Sequence, residues 1–296
     1  MAIVVQTNVT SLIAQNNLST ATKRMDQAME RMTTGYKINS AKDDAAGLYV
    51  ATSLDKNIRG SEVAQKNVQM GNDVISVAEG DLAGIQDNLL RIRDLALTAA
   101  NGIYDQDSLN AIEAEVTARL DEIDRSANVS EYNGKKLLNG DIQSITLQVG
   151  ANTSEHDVIE ITGVFGKATS SALGIEARKA GGTTTVTEIF TEPDGTDPNA
   201  ESLTDKLHAF VDTVDVALKE VQSRRTEIGA IQNRLDSAAA SLTTTIENLT
   251  SSKSTIMDAD IAAESTEYIN AQILQQAAAS LLVQANQTPQ IALSLI

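Results

Sequence analysis

The hydrophobic and polar positions of this chain follow a helical period over most of its length. Near its start, apolar residues alternate three- and four-residue steps from Leu18 to Met32, which is the spacing of a coiled-coil seam. A second apolar stripe runs through the charge-free stretch after Glu267. Two such stripes can bury each other, so the pattern predicts that the terminal helices pair. The predicted seam residues are Leu18, Ala21, Met25, Ala28, Met32, Leu274, Ala278, Leu281, Leu282 and Ala285.

Two longer helices are predicted between these ends. Every seventh position from Leu54 to Leu89 is apolar except Ser61, and apolar residues recur at heptad spacing again in two runs after Ser202. A step of three residues where four is expected separates those two runs at Gly229-Ala230, which predicts local overwinding of the coil. The predicted core of these helices consists of Leu54, Val68, Ile75, Leu82, Leu89, Val211, Val214, Leu218, Leu235 and Leu242.

The middle of the chain changes period. A shorter helix is predicted over Ser108–Ala127, followed by a tight turn at Tyr132–Lys135. Alternating apolar and polar residues predict strands at Ile145–Val149 and Val158–Ile161. Residues Gly163–Pro198 are rich in Gly, Thr and Ser without clear periodicity, which predicts an exposed, loosely structured insertion. The whole pattern predicts a mainly α protein, a long antiparallel coiled-coil rod with paired terminal helices, small β-hairpins and a short variable insertion.

The C-terminal stripe is built largely from Ala and therefore buries little area per residue. Ordering a chain costs about 1–2 kcal/mol per residue in backbone entropy. A mainly Ala and Leu surface cannot offset that cost without close neighbours. The tail is therefore expected to need partners.

Composition and charge exclude several kinds of function. The net charge of −17 argues against electrostatic binding of nucleic acid or anionic membrane. The absence of Cys excludes disulfides and thiolate metal sites. Gln and Asn side chains and Pro289 lie within the apolar tail and disfavour a membrane span. The first residues have no basic region or sustained apolar run, so a Sec-type signal peptide is not expected.

No catalytic, cofactor or metal constellation is predicted. His156 and His208 are isolated, without an HExxH pattern. Asp258-Ala259-Asp260 resembles the start of a calcium loop but lacks its central Gly, so helix capping is the preferred interpretation. The stretch Lys37–Gly47 is interpreted as a polar bend with a helix cap at Ser40. An enzyme is therefore not expected.

Two separated blocks carry a family resemblance. Residues Arg31–Leu48, RMTTGYKINSAKDDAAGL, resemble the N-terminal signature of bacterial flagellin. Gly229–Leu235 (GAIQNRL), Gln272–Ala277 (QILQQA) and Gln284–Gln290 (QANQTPQ) resemble its C-terminal signature. The resemblance covers roughly residues 1–150 and 200–296, which is nearly everything outside the insertion.

The resemblance implies a subunit that polymerises into the extracellular flagellar filament and serves swimming. It further implies unfolded export through the flagellar type III apparatus, a secretion chaperone on the C-terminal helix, and contact with junction and cap proteins. The implied segments are an N-terminal inner-tube helix (1–43), an N-terminal rod part (44–163), a variable insertion (164–200), a C-terminal rod helix (201–254) and a C-terminal inner-tube helix (255–296).

The resemblance also implies recognition by innate immune receptors. Arg91, Leu95 and Glu115 match the positions that the surface receptor for flagellin contacts. Leu293, Leu295 and Ile296 match the end read by cytosolic inflammasome sensors, although this chain lacks the final basic residue of many relatives.

Two other functions remain open from the residues. A hook–filament junction protein has the same helical layout but matches the N-terminal block less well. A generic coiled-coil scaffold would show heptads without two matched terminal blocks. Bulk polymerisation of the purified monomer separates a filament subunit from both.

Overall fold

The computed structural model describes residues 7–175, 186–191 and 202–294. Helices and short strands follow each other in the order expected for a mainly α protein, and this fold class is confirmed. The elements are α1 (Val9–Thr34), α2 (Ala45–Ala99), α3 (Gln106–Val129), β1 (Glu131–Tyr132), β2 (Lys135–Lys136), β3 (Ser144–Gln148), a single 3₁₀ turn (Glu155–Asp157), β4 (Val158–Thr162), α4 (Val186–Phe190), α5 (Leu203–Met257) and α6 (Ile261–Ser294).

The helix ends follow from local sequence. The side chain of Asn8 accepts a hydrogen bond from the Ser11 amide and so caps the first turn of α1. Gly35, with φ of 75°, ends the same helix and returns its N–H to the Arg31 carbonyl. Asp105 caps α3 in the same manner through the Ser108 amide. Short polar residues thus set the boundaries that the apolar period leaves open.

The described chain forms two compact units. The first comprises residues 1–58 and 246–296, and the second comprises residues 59–245. In the first unit, α1 packs along α6, as the paired apolar stripes predict. The first unit also holds the connector between α1 and α2 and the short connector between α5 and α6.

The core of the second unit lies where α2, α3 and α5 meet. Large apolar side chains at helical spacing on all three helices are buried together, and the hairpin and following segment cover them. Fully buried members include Ile75, Leu82, Ile85, Leu89, Ile92, Val116, Ile123, Val214, Val221, Ile228 and Leu235. Such a continuous core is what seven-residue spacing on antiparallel helices produces.

Two antiparallel hairpins follow α3. Asn133 (φ 49°) and Gly134 (φ 79°) form the turn between β1 and β2, and paired positive φ angles are typical of two-residue hairpins. Strands β3 and β4 pair from Ser144 opposite Thr162 to Gln148 opposite Val158. Asn67 of α2 donates to the Gln148 carbonyl at 3.0 Å, which ties this hairpin to the helix.

The segment predicted as an exposed insertion contributes to the core where the structure describes it. Seven of its apolar side chains are buried: Val164, Phe165, Ala168, Leu173, Ile175, Val186 and Phe190. The Ala168 amide donates to the Leu138 carbonyl at 2.8 Å, and Asp124 accepts from the Ser170 amide at 2.7 Å. The expectation of an exposed segment was wrong for these residues, because tertiary contacts recruit apolar side chains that have no period of their own. Residues 176–185 and 192–201 lie outside the described ranges.

Helix α5 passes through Gly229-Ala230 without interruption. Gln232 is half-buried and donates to Glu79 Oε2 at 3.1 Å. This residue lies four positions after Ile228 and three before Leu235, so it continues the alternating spacing as a polar seam member. The predicted step of three residues comes from counting apolar positions alone.

Candidate assembly interface

The contact between α1 and α6 is made of small side chains. Ala14, Ala21 and Ala28 of α1 and Ala271 and Ala278 of α6 are buried. The other predicted seam residues beside them are half-buried, namely the larger Leu18, Met25, Met32 and Leu282, and also Ala285. Small residues let two helices approach closely but leave little apolar area to bury. The interface is therefore close and weakly stabilised.

Polar contacts fix the register of this helix pair. Asn8 Nδ2 donates to the Ala285 carbonyl at 2.8 Å, and Ser11 Oγ donates to Asn286 Oδ1 at 2.8 Å. Towards the other end, Arg31 and Glu264 form an ion pair at 3.0 Å. Gln275 Nε2 donates to Thr22 Oγ1 at 3.1 Å between them. These bonds hold the helices at one register, which the Ala contacts alone would not specify.

Two predicted seam residues lie outside the contact with α1. The side chains of Leu274 and Leu281 are 52% and 59% exposed. They border a groove of about 290 Å³ whose other walls include Asn17 and Arg24 of α1. The seam itself runs through Ala271, Gln275 and Ala278, which a search for large apolar residues misses. The prediction that Leu274 and Leu281 belong to the buried seam was therefore wrong, because both side chains lie at its exposed rim.

Further apolar residues of this pair face outward. On α1 they are Val9, Leu12 and Ile13, and on α6 they are Ile269, Ile273 and Val283. Exposed apolar side chains in this density mark interaction surfaces rather than ordinary solvent-facing helices. The α1–α6 pair therefore has a buried inner seam and an exposed apolar outer surface.

The connector from α1 to α2 is built by two carboxylates. Asp43 Oδ2 accepts hydrogen bonds from the Ser40 amide (2.9 Å), the Ser40 hydroxyl (3.0 Å) and the Asn39 amide (3.2 Å). The bonds from the Ser40 amide and hydroxyl, and then that from Asn39, lower the pKa of Asp43 below its usual 3.8. Asp44 Oδ1 accepts from the Gly47 amide at 2.9 Å, so Asp44 caps α2, and the assignment of that cap to Ser40 was wrong.

The two connectors of the first unit are bonded to each other. The Lys37 amide donates to the Met257 carbonyl at 2.7 Å, and the Ala259 amide donates to the Gly35 carbonyl at 2.8 Å. Tyr36 and Asp258 form the bridge between these bonds. The end of α1 and the start of α6 therefore lie side by side, as do the two connectors that join them to α2 and α5.

Asp260 begins α6 as a cap, in agreement with the capping interpretation. Its Oδ1 accepts from the Ala262 amide at 2.9 Å and from the Ala263 amide at 3.3 Å. In the described part of the chain, no three His, Asp or Glu side chains are grouped so that they could hold a metal ion. No helix within the same residues is both long and apolar enough to cross a bilayer.

The predicted rod core is buried almost throughout. Leu54 is half-buried in the first unit. The other predicted members are buried in the second unit, namely Val68, Ile75, Leu82, Leu89, Val211, Val214, Leu218, Leu235 and Leu242.

A column of polar side chains on α2 also contacts α5, which apolar periodicity does not reveal. Its members lie seven residues apart: Gln65, Asn72, Glu79, Gln86 and Arg93. They bond in order to Thr243, Asp236, Gln232, Arg225 and Asp215. The partner numbers fall as the α2 numbers rise, so the column fixes one antiparallel register of the two helices. A polar residue recurring every seventh position is the signal that could have found it.

The predicted immune-receptor residues differ in accessibility. Arg91 and Glu115 form an ion pair at 2.8 Å with side chains 50% and 37% exposed. Leu95 is buried in the core of the second unit. Its predicted contact with a receptor is therefore corrected, because its side chain packs inside the chain. Leu295 and Ile296 lie outside the described residues, as does the side chain of Leu293.

Comparisons with known proteins cover the whole chain. Residues 5–143 match the family model of the bacterial flagellin N-terminal helical region, and residues 211–296 match that of the C-terminal helical region. A flagellin of Xenorhabdus nematophila is 38% identical over 316 residues and is covered completely, as is this chain. A flagellin of Bacillus subtilis is 36% identical over 304 residues, which cover 98% of each chain.

The fold is also found among solved structures. One is a Vibrio parahaemolyticus protein described as flagellar hook-associated, with a TM-score of 0.57 and 18% identity. The match covers 72% of this chain and 99% of that one. At this identity the likeness concerns the fold alone.

Proposed function

The chain belongs to the bacterial flagellin family, and on that premise we propose how it is exported, how it assembles and what recognises it. As a flagellin it is a structural subunit of the extracellular flagellar filament and not an enzyme. The proposal adds that the filament serves swimming. It also adds that the subunit leaves the cell unfolded through the flagellar type III apparatus.

The α1–α6 pair is proposed as the element that makes polymerisation cooperative. The observation that carries this proposal is its unequal burial: Ala side chains form the inner seam, whereas Leu274, Leu281 and Ile273 remain exposed. Neighbouring subunits would bury that outer surface and supply the stabilisation that the Ala seam lacks. In this assignment, segments 1–43 and 255–296 form the inner tube, and segments 44–163 and 201–254 form the layer around it.

Seeded polymerisation tests this assignment. Purified monomer is mixed with short filament fragments, and fibre length is measured by light scattering and electron microscopy. The full chain is expected to elongate, and a variant that lacks residues 262–296 is expected not to. Elongation of that truncated variant would contradict the proposal.

Two point variants sharpen the test because they leave the inner seam intact. Leu274→Ser and Leu281→Ser remove exposed apolar groups and are expected to slow elongation while the monomer stays helical by circular dichroism. Gln272→Ser is the matched control, since it changes an exposed polar residue of the same helix. If the Leu variants elongate like the control, the outer face of α6 takes no part in assembly.

A hook–filament junction protein is the alternative function. The hook-associated structural neighbour shares the fold, which is compatible with either role. The alternative predicts no long homopolymer under seeding, so the same assay separates the two. Junction and cap proteins are retained as proposed partners of the filament ends.

A secretion chaperone is proposed to cover the exposed face of α6 before export. The apolar side chains of Ile269, Ile273, Leu281 and Val283 give it a surface to bury. Addition of the cognate chaperone is expected to block seeded elongation of the full chain in proportion to the complex formed. A complex of equal affinity with the chain truncated at residue 261 would contradict this location.

Immune recognition is proposed to involve the exposed Arg91–Glu115 pair, because an accessible Arg is a frequent hot-spot residue. A receptor reporter assay with monomer is expected to lose response on Arg91→Ala and to keep it on Arg125→Ala, a control on the exposed face of α3. A silent assay with saturating unsubstituted monomer would refute this proposal. Leu293, Leu295 and Ile296 remain proposed contacts of cytosolic sensors.

A further inference from the structure

Three Asn-Gly pairs occur in the chain, and all three lie in turns or connectors: Asn101-Gly102, Asn133-Gly134 and Asn139-Gly140. In such a pair the backbone nitrogen of Gly can attack the side-chain carbonyl carbon of Asn, because Gly has no Cβ to obstruct the approach. The attack requires an accessible backbone, an Asn side chain that can rotate and a Gly N–H that is not held elsewhere. The three pairs differ in how far the fold allows this.

The first pair lies in the connector between α2 and α3, where Asn101 and Gly102 are both exposed. The Asn101 amide donates to the Thr98 carbonyl at 3.3 Å, which is long for a hydrogen bond between backbone groups. Among the described residues, neither the Asn101 side chain nor the Gly102 N–H has a hydrogen-bond partner. The next residue, Ile103, is 80% exposed and does not anchor the connector either.

The second pair is exposed but forms the turn between β1 and β2. Asn133 has a φ of 49°, and the left-handed conformation, with ψ of about +47°, turns the following nitrogen away from the Asn side chain. The Lys136 ammonium lowers the pKa of Glu131 below its usual 4.5, and a hydrogen bond from the Gly134 N–H lowers it further. This carboxylate opposes loss of the Gly134 proton, because two negative charges would then lie together. Attack at Asn133 must therefore break the turn first.

The third pair is held by side-chain hydrogen bonds. Asn139 Oδ1 accepts from the Asp141 amide at 2.9 Å, and Asn139 Nδ2 donates to Asp141 Oδ2 at 2.7 Å. Asn139 and Gly140 are half-buried, and the preceding carbonyl, of Leu138, accepts from the Ala168 amide at 2.8 Å. Rotation of the Asn139 side chain therefore breaks two hydrogen bonds within a backbone that is itself anchored.

We infer that Asn101 is a site of spontaneous deamidation, and that the fold directs this reaction to Asn101 while it protects Asn133 and Asn139. The Gly102 nitrogen loses its proton to hydroxide and attacks the side-chain carbonyl carbon of Asn101. The bond from that carbon to the side-chain nitrogen breaks, and ammonia leaves with a proton from water, which regenerates hydroxide. Water then opens the cyclic imide at one of its two carbonyls and gives Asp or iso-aspartate at position 101. The reaction needs no neighbouring subunit and is independent of the proposals on assembly.

Ageing of the full-length monomer tests the inference. The chain is incubated at neutral and mildly alkaline pH, digested with trypsin and analysed by mass spectrometry, with isoaspartyl methyltransferase as a label for iso-aspartate. The three sites fall in separate tryptic peptides, Asp94–Arg119, Ser126–Lys135 and Leu137–Lys167. Modification is expected to be about tenfold faster in the first peptide, because the other two sites must first break hydrogen bonds. Its rate is expected to rise about tenfold for each pH unit, as the population of the amide anion does.

The unfolded chain and one variant serve as controls. In concentrated urea the three peptides are expected to be modified at similar rates, since each pair is then an Asn-Gly pair in an unordered chain. Asn101→Gln keeps the amide group but requires closure of a six-membered ring, so it is expected to remove the modification from the first peptide only. Each event adds one negative charge to the net charge of −17, and the resulting acidic species should be lost from isoelectric focusing of this variant.

Equal rates at the three sites of the folded chain would overturn the inference, because the fold would then direct nothing. Faster modification at Asn133 or Asn139 than at Asn101 would overturn it as well. So would a folded chain in which the peptide Asp94–Arg119 stays unmodified while the same peptide is modified in urea, since the connector would then protect Asn101.

Discussion

Phe190→Ala is the most direct test of the segment that sequence patterns place on the surface. Phe190 is fully buried in α4, and its ring lies 6.2 Å from that of Phe210 in an edge-to-face arrangement. Removing a buried Phe side chain costs about 3–5 kcal/mol in lost transfer energy and residual cavity. For a unit of this size that corresponds to a fall in Tm of about 6–20 °C.

The measurement is thermal and urea unfolding of unseeded monomer, followed by far-ultraviolet circular dichroism. Thr187→Ala is the matched control, because Thr187 is an exposed residue of the same short helix. It is expected to change the free energy of unfolding by less than about 0.5 kcal/mol. A double-mutant cycle with Phe210→Ala is expected to show a coupling of about 0.5–1.5 kcal/mol for the ring pair.

An outcome in which Phe190→Ala behaves like Thr187→Ala would refute the reasoning. It would mean that α4 leaves the core at little cost, and that the segment behaves as the exposed insertion suggested by its Gly, Thr and Ser content. A large loss of stability without coupling to Phe210 would agree with the burial of Phe190. It would also show that the contact between the two rings contributes nothing beyond that burial.

Three further changes test local features of the fold. Gly134→Ala should lower the free energy of unfolding by about 1–2 kcal/mol, because an L residue is strained at this left-handed position; an unchanged urea midpoint would contradict the turn. Asn8→Ala should cost about 1 kcal/mol through loss of the α1 cap, seen as faster hydrogen exchange in the first turn. The hydrogen bonds that lower the pKa of Asp43 stabilise the connector fully above the unfolded value of about 3.9 and are lost as the pH falls through the lower folded pKa. The Ser40 amide shift should therefore titrate in that acidic range, and Asp43→Asn should remove the transition.

The long helices could be predicted because their periodicity and their burial coincide. From Val68 to Leu89, every seventh residue is apolar and also buried. The β3 and β4 strands could be predicted as well, because alternating apolar and polar residues bounded by turn residues indicate strands. In these regions one local rule decides the structure, and no distant contact overrides it.

Prediction failed where the largest apolar side chains are not the buried ones. In α6, Leu and Ala occur around the whole helix, and the contact with α1 uses Ala271 and Ala278 while Leu274 and Leu281 stay exposed. The choice depends on how closely the partner helix approaches, which the tail sequence does not contain. Likewise, the burial of Leu95 depends on which neighbours pack on α2 and not on α2 alone.

The hydrogen-bonded connectors have a mechanical consequence. Tension applied to α1 and α6 must pass to α2 and α5 through the two short non-helical connectors, residues 35–44 and 258–260. The Lys37 amide bonds to the Met257 carbonyl at the end of α5, and the Ala259 amide bonds to the Gly35 carbonyl. Neither connector can therefore extend without breaking these hydrogen bonds. The load is therefore shared by both covalent paths at once. A subunit strained in this way would yield only when both connectors give way together.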